Sequence, residues 1–232
     1  YNLVSALENE HNAAGCFGRH IAHDDAPQLM KQELENYFNA LNRFPKKLSI
    51  HTDAEAIKRG NERWRKILHF YSDNNSCLRK SIWKEIPLPC IPFGEDQLWA
   101  EMIIRRGYKK VYANNATVKH SHNYTPTETY NRANTEAEFY KICFGHTIHK
   151  TRIQMDVAIS RDYNNAIKRA FQSKDRDMTQ QLRTHLQCII AENCGSYQAI
   201  RQLEGAVSSQ PSKERLQFKN RIPSSRAKPD TP

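Results

Sequence analysis

The chain has no apolar run near the ~18 residues that a membrane-spanning helix needs, and no segment zoned like a secretory leader. Within these residues no transmembrane helix is expected. There is also no Cys-x-x-Cys spacing, which argues against a thiolate zinc site. The six cysteines, Cys16, Cys77, Cys90, Cys143, Cys188 and Cys194, are scattered rather than arranged as a disulfide framework. They read as reduced and structural, a usage that fits the cytoplasm. Apolar residues are scarce at 38%, with a mean hydropathy of −0.80. Acid is short relative to base: 25 Asp and Glu face 35 Lys and Arg, giving a net charge of +10 and a pI near 9.3. That balance suits phosphate-bearing partners, whether nucleic acid, anionic lipid or a nucleotide-linked substrate. The charge is spread along the chain, so it does not choose among them. No nucleic-acid recognition module is present, and nucleic acid is set aside as a partner. An initiating Met is missing too; with Tyr1 first, a processed chain or a fragment is expected.

The 232 residues allow one domain with an appendage, or two small domains. Residues 1–11 read as the end of a helix carrying Leu3, Val4 and Leu7. Gly15 to Ile21 reads as a short buried strand. Asp24, Asp25 and Pro27 suggest the capped entry of a helix running to about Asn39, with Leu29, Leu34, Tyr37 and Phe38 inward. Residues 43–61 read as irregular and basic, and Trp64, Ile67 and Leu68 as the start of an ordered segment. Phe70 to Leu78 reads as a strand breaking into a polar turn. Ser81 to Ile86 is expected as a short helix stopped by Pro87 and Pro89. Glu95 to Arg106 is a stronger helix, with Leu98, Trp99, Met102 and Ile103 on one face and Gly107 as its stop. Two short strands are expected at Tyr108–Tyr112 and Ala116–His122. Helix resumes near Thr127 and continues, with a break at Gly195, to about residue 207; Ile153, Val157 and Phe171 are among its apolar positions. Residues 208–232, with four prolines, five serines and six Lys or Arg, are expected to be disordered.

Phe93-Gly-Glu-Asp-Gln97 places two carboxylates, Glu95 and Asp96, where a loop enters a helix. Such a pair can simply align with the helix dipole. Behind a glycine that lets a ligand approach, it can also take a proton from a hydroxyl nucleophile. His120 and His122 follow at strand spacing, so both rings can serve one site. They read either as hydrogen-bonded polar residues or as ligands of a cation that otherwise prefers oxygen. Ser72 to Lys80 sets amides and hydroxyls beside two cations, an ordinary turn or a sugar and phosphate contact. Arg19 reads either as a phosphate contact or as a partner for Asp24 or Asp25. Asp175-Arg-Asp177 has metal-ligand spacing but lies in a charged helical stretch and reads as a solvated face.

Taken together, these segments resemble the second half of a family 2 glycosyltransferase with the GT-A fold, in its rhamnosyltransferase-like branch. The matching pieces are Cys16-Phe-Gly-Arg-His-Ile21 with Asp25-Ala26, Phe70-Tyr-Ser-Asp-Asn-Asn-Ser76 with Arg79-Lys80 and Trp83, and Pro87-Leu-Pro89. Pro92-Phe-Gly-Glu-Asp-Gln97, Gly107-Tyr108, and Tyr112-Ala113 through Val118-Lys-His-Ser-His-Asn-Tyr124 complete the set. The resemblance covers roughly residues 1–140. It implies an α/β fold: a partial GT-A-like mixed sheet with flanking helices, followed by a helical extension over 141–207 and a basic tail over 208–232. It implies Asp96, or less directly Glu95, as the base of an inverting transfer from a nucleotide-sugar. Asn75, Arg79, Trp99 and Arg19 fall on the substrate side. His120, with His122 as alternative, would bind Mg2+ or Mn2+. The expected partners are a nucleotide-sugar donor and a glycan or lipid-linked acceptor; the basic helical region from 141 reads either as a bundle packing on the catalytic domain, because its bases are interspersed with acids, or as a peripheral contact at the inner face of a membrane.

The family's first half, with its nucleotide-binding strands and Asp-x-Asp, has no counterpart in these residues. The donor side is therefore expected to lie upstream, and the chain alone is expected to show little transferase activity. The other reading is a non-catalytic remnant that uses the half-fold as an interaction surface.

Overall fold

The computed structural model describes residues 1–44, 47–48, 67–172 and 178–207. Its centre is a four-stranded mixed sheet. Strand β1 (Ala13–Ile21) pairs in parallel with β4 (Lys109–Lys119) and antiparallel with β3 (Ser76–Leu78). Strand β2 (Lys47–Leu48) pairs antiparallel with the outer edge of β4, giving the order β2-β4-β1-β3. The chain is thus α/β, as expected.

Strand alternation sorts the sheet's two faces. Phe17 and Tyr112 are register partners whose rings stack at 5.2 Å on one face. There they meet Phe38 from α2 (Gln28–Leu41) and, with Tyr71, the core that buries Trp99 and Ile103 of α4 (Glu95–Arg105). Cys16 and Val111, also register partners, face the other side and pack on Leu7 of α1 (Asn2–Glu8). Trp99 is fully buried, and its Nε1 donates to the Ile86 carbonyl at 2.7 Å, beyond α3 (Lys80–Glu85). Truncating an indole so placed costs ~3–5 kcal/mol.

The remaining helices follow the sheet. Helix α5 (Pro126–Phe139) opens on a capping box: the Thr125 hydroxyl accepts from the Glu128 backbone N–H, and the Glu128 carboxylate accepts from the Thr125 N–H. A wide helical turn at Tyr140–Phe144 leads to α6 (Arg152–Gln172) and α7 (Met178–Val207). The last two dock on α2, where Leu29 packs with Ala170 and Leu182, and Glu33 pairs with Arg169 at 2.7 Å and His185 at 3.1 Å.

Several local expectations are corrected. The Phe70–Leu78 segment runs in the opposite order: a turn at Asp73–Asn75 comes first and the strand follows. Tyr108–Tyr112 and Ala116–His122 form one strand, β4, which ends at Lys119. The apparent gap between them is a register break, since Gly18 faces Ala113 while Arg19 already faces Thr117. Neither Asp24 nor Asp25 caps α2; Pro27 stands at the cap position, and Asp24 pairs instead with Lys119 at 2.6 Å. Tyr37 is half exposed. Ile153, Val157 and Phe171 point outward, because α6 packs through Met155 and the small Ala158, Ala166 and Ala170. Gly195 lies inside α7 rather than between helices. A Cβ there would sit 2.3 Å from the Tyr130 carbonyl, so glycine serves close helix packing, not termination. Trp64, Asp175, Asp177 and residues 208–232 lie outside the described residues. Among the described residues, no helix is long and apolar enough to cross a membrane.

Candidate functional site

Asp96 sits in the first turn of α4, where two backbone features place it. Gly94, the residue before the helix, has φ +74, a left-handed conformation that side chains rarely adopt. It is also buried against Phe139, whose ring would stand 2.4 Å from an added Cβ. The carboxylate of Asp96 then accepts from the Gln97 N–H at 2.7 Å and from the Asp73 N–H at 3.3 Å. Burial pushes its carboxyl up to about 6, with the nearby Asp73 and Glu95 charges adding to the rise and the two N–H groups opposing it. Part-buried and poised near neutrality, Asp96 has the character of a general base. Glu95 beside it lacks these anchors.

The turn that reaches Asp96 also reaches the histidines. Ser72, just before Asp73, is buried, and its hydroxyl meets His20 Nε2 at 3.1 Å. The His20 ring lies 4.9 Å from that of His120, and His120 Nε2 is 3.1 Å from His122 Nε2. Tyr124 stacks on His122 at 4.9 Å with an interplanar angle of 8°. His20 is driven down to about 4 by burial and by the two neighbouring imidazoles, so it is neutral at pH 7. His120 is lowered for the same reasons, burial first. Asp96, Asp73, Ser72, His20, His120 and His122 thus form one continuous path.

His20 carries no role in the sequence reading. A single His in a strand gives no local signal, and only the fold brings it to His120.

The other sequence candidates are placed differently. Asn75 donates its side-chain N–H groups to the Ala116 carbonyl at 2.9 Å and the Arg19 carbonyl at 3.3 Å, bracing the register break. Arg19 donates to Asn39 Oδ1 at 2.9 Å, not to Asp24 or Asp25. Arg79 turns into the fold, donating to the backbone carbonyls of Ala13 at 3.0 Å and Leu7 at 2.9 Å, where it closes the end of α1. Trp99 is enclosed in the core, out of reach of a substrate in solvent. Lys110, also without a sequence-based role, is fully buried beneath the site. Its ammonium donates to the Ile67 carbonyl at 2.9 Å and to the Phe70 carbonyl, and burial holds it well below its usual value. It thereby fixes the segment that leads into Ser72 and Asp73.

Among the described residues, no group of three His, Cys, Asp or Glu side chains is disposed to hold a metal. The Nε2 atoms of His120 and His122 lie 3.1 Å apart, within hydrogen-bond distance of each other.

Known proteins similar to the chain are rhamnosyltransferases. The O-antigen chain rhamnosyltransferase RfbN of Salmonella typhimurium is 33% identical over 134 residues, covering 56% of this chain and 38% of that protein. The O-antigen chain rhamnosyltransferase WbaN of Salmonella anatum is 29% identical over 138 residues, again covering 56% and 38%. The chain therefore spans well under half the length of these relatives. No family model matches the chain, and no solved structure does.

Proposed function

We propose that this chain carries the acceptor-side catalytic residues of an inverting glycosyltransferase that moves a sugar from a nucleotide-sugar to a glycan or lipid-linked hydroxyl. The observation that carries the reading is Asp96: a part-buried carboxylate raised to about 6 and held by backbone N–H groups at a helix start. The similarity to two rhamnosyltransferases supports it, and favours an activated rhamnose as donor and a surface polysaccharide as product. In this reading the sheet is the C-terminal part of a GT-A domain covering residues 1–140, residues 141–207 are a helical extension, and residues 208–232 a tail.

Asp96 takes the proton of the acceptor hydroxyl as that oxygen attacks the anomeric carbon. The bond from that carbon to the diphosphate breaks on the opposite face, its electron pair leaves with the nucleoside diphosphate, and the configuration inverts. A carboxyl near 6 is largely ionised at pH 7, yet basic enough to receive a proton in the transition state. His120 and His122 are the residues that would hold a Mg2+ or Mn2+, with phosphate and water oxygens completing its shell. When bound, the ion supplies charge neutralisation for the departing diphosphate.

The test is sugar transfer by the natural protein from radiolabelled nucleotide-rhamnose to a polysaccharide acceptor, compared with its Asp96→Asn variant. The expected result is a loss of kcat of ~10²–10⁴-fold with donor affinity retained. Unchanged turnover in the variant would remove Asp96 from the chemistry and favour the interaction-surface reading.

A further inference from the structure

We infer that Arg132 is a diphosphate-binding residue of this site. The inference deepens the glycosyltransferase reading and rests on it only for the source of the diphosphate.

Arg132 lies on α5 and is exposed, and its guanidinium carbon is 5.2 Å from the Phe93 ring centroid and 5.9 Å from that of Tyr124. Two aromatic contacts anchor the cation without consuming a hydrogen-bond donor. No carboxylate or carbonyl among the described residues pairs with it. Several other arginines are engaged: Arg105 with Glu101, Arg152 with Asp156, Arg169 with Glu33, and Arg79 with main-chain carbonyls. A guanidinium carries five N–H donors in a rigid fork that matches paired phosphoryl oxygens.

Its two ring partners set its position. Tyr124 stacks on His122, and His122 meets His120. Phe93 directly precedes Gly94, Glu95 and Asp96. Followed from contact to contact, the path from Asp96 through Ser72 and the histidines returns by Tyr124, Arg132 and Phe93 to the start of α4. The backbone beneath Arg132 is fixed on both sides, since Tyr130 lies against Gly195 and Asn134 donates to the Gly195 carbonyl at 3.2 Å. A bidentate cation linked to the imidazole pair through the Tyr124 ring favours a ligand with several anionic oxygens on adjacent phosphorus atoms over a single carboxylate.

The experiment is calorimetric titration of the natural protein that carries these residues with inorganic pyrophosphate, and with a panel of nucleoside diphosphates. The wild-type protein is expected to bind. Arg132→Gln should weaken binding about tenfold or more, and Arg132→Lys should lie between, because it restores the charge but not the fork. Thermal melting of each variant checks that the fold is kept. Tighter binding of nucleoside diphosphates than of pyrophosphate assigns the site to the donor. Equal binding assigns it to a diphosphate on the acceptor. No binding by the wild-type protein, or equal binding by Arg132→Gln, overturns the inference. Binding that depends on Arg132, in a natural protein that transfers no sugar, would leave this inference standing and defeat the reading on which its source rests.

Discussion

Asp96→Asn should disable the protein, and the stability of the variant relative to wild type should rise with pH. The Asp96 carboxyl is raised from 3.8 to about 6, mainly by burial. Between those values the folded chain holds a proton that the unfolded chain has released, so stability falls as pH rises. Below about pH 4 both states are protonated and the penalty vanishes. Well above pH 6 both are ionised and it is complete, at about 3 kcal/mol by the shift alone and about 1–2 kcal/mol once solvent at the open edge is allowed for. The Asp73 and Gln97 N–H groups bond to different carboxylate oxygens, so asparagine keeps an acceptor for only one of them, a loss that does not vary with pH and is separated from the charge effect by the pH profile. Urea unfolding of both chains from pH 4 to pH 8 measures the effect. Relative to wild type, the variant should gain about 1–2 kcal/mol between pH 4 and pH 7, with no further change above pH 7. A difference that stays constant with pH would refute the argument that Asp96 is held in an environment that opposes its charge. A group kept at a cost to stability is what a functional site is expected to contain.

Three further outcomes follow from the packing. Lys110→Met should cost ~3–5 kcal/mol in denaturant unfolding, because the Ile67 and Phe70 carbonyls lose their buried donor. Gly94→Ala should destabilise by at least ~2 kcal/mol, since φ is +74 and Phe139 occupies the space; a neutral effect in a thermal melt would mean that the loop readjusts freely. Arg79→Lys should lower stability by ~1–3 kcal/mol without changing pyrophosphate affinity, because a lysine cannot reach both the Ala13 and the Leu7 carbonyls. An altered affinity measured by calorimetry would return Arg79 to the ligand.

The elements near the site show how far local sequence reaches. Helix α4 was legible because its determinants are contiguous: Gly94 at its entry, apolar residues at helical spacing, and Gly107 past its end. The His120 and His122 pair was legible for the same reason, although both rings lie just past β4 rather than within it. Strand β3 and the turn before it were read in reverse, because Ser76–Leu78 pairs with Gly15, Cys16 and Phe17 rather than with anything nearby in sequence. The inward face of α6 was misread because its neighbours demand small residues there; large apolar residues are not buried simply by being apolar.

The roles of polar residues divide along the same line. By itself the sequence determined the α/β class, the carboxylates at the start of α4, the two adjacent histidines and the lack of a membrane-length helix in the described residues. These depend on spacing within one element, where backbone geometry alone sets which side chains meet. Only the tertiary structure decided that Arg79 and Trp99 serve the fold, that His20 joins His120, and that Phe93 and Tyr124 anchor Arg132. An arginine, a histidine or a tryptophan has the same composition in a core brace as in a binding site. What separates the two is which partners the packed chain brings within hydrogen-bond or ring-contact distance, and those partners lie far away along the chain.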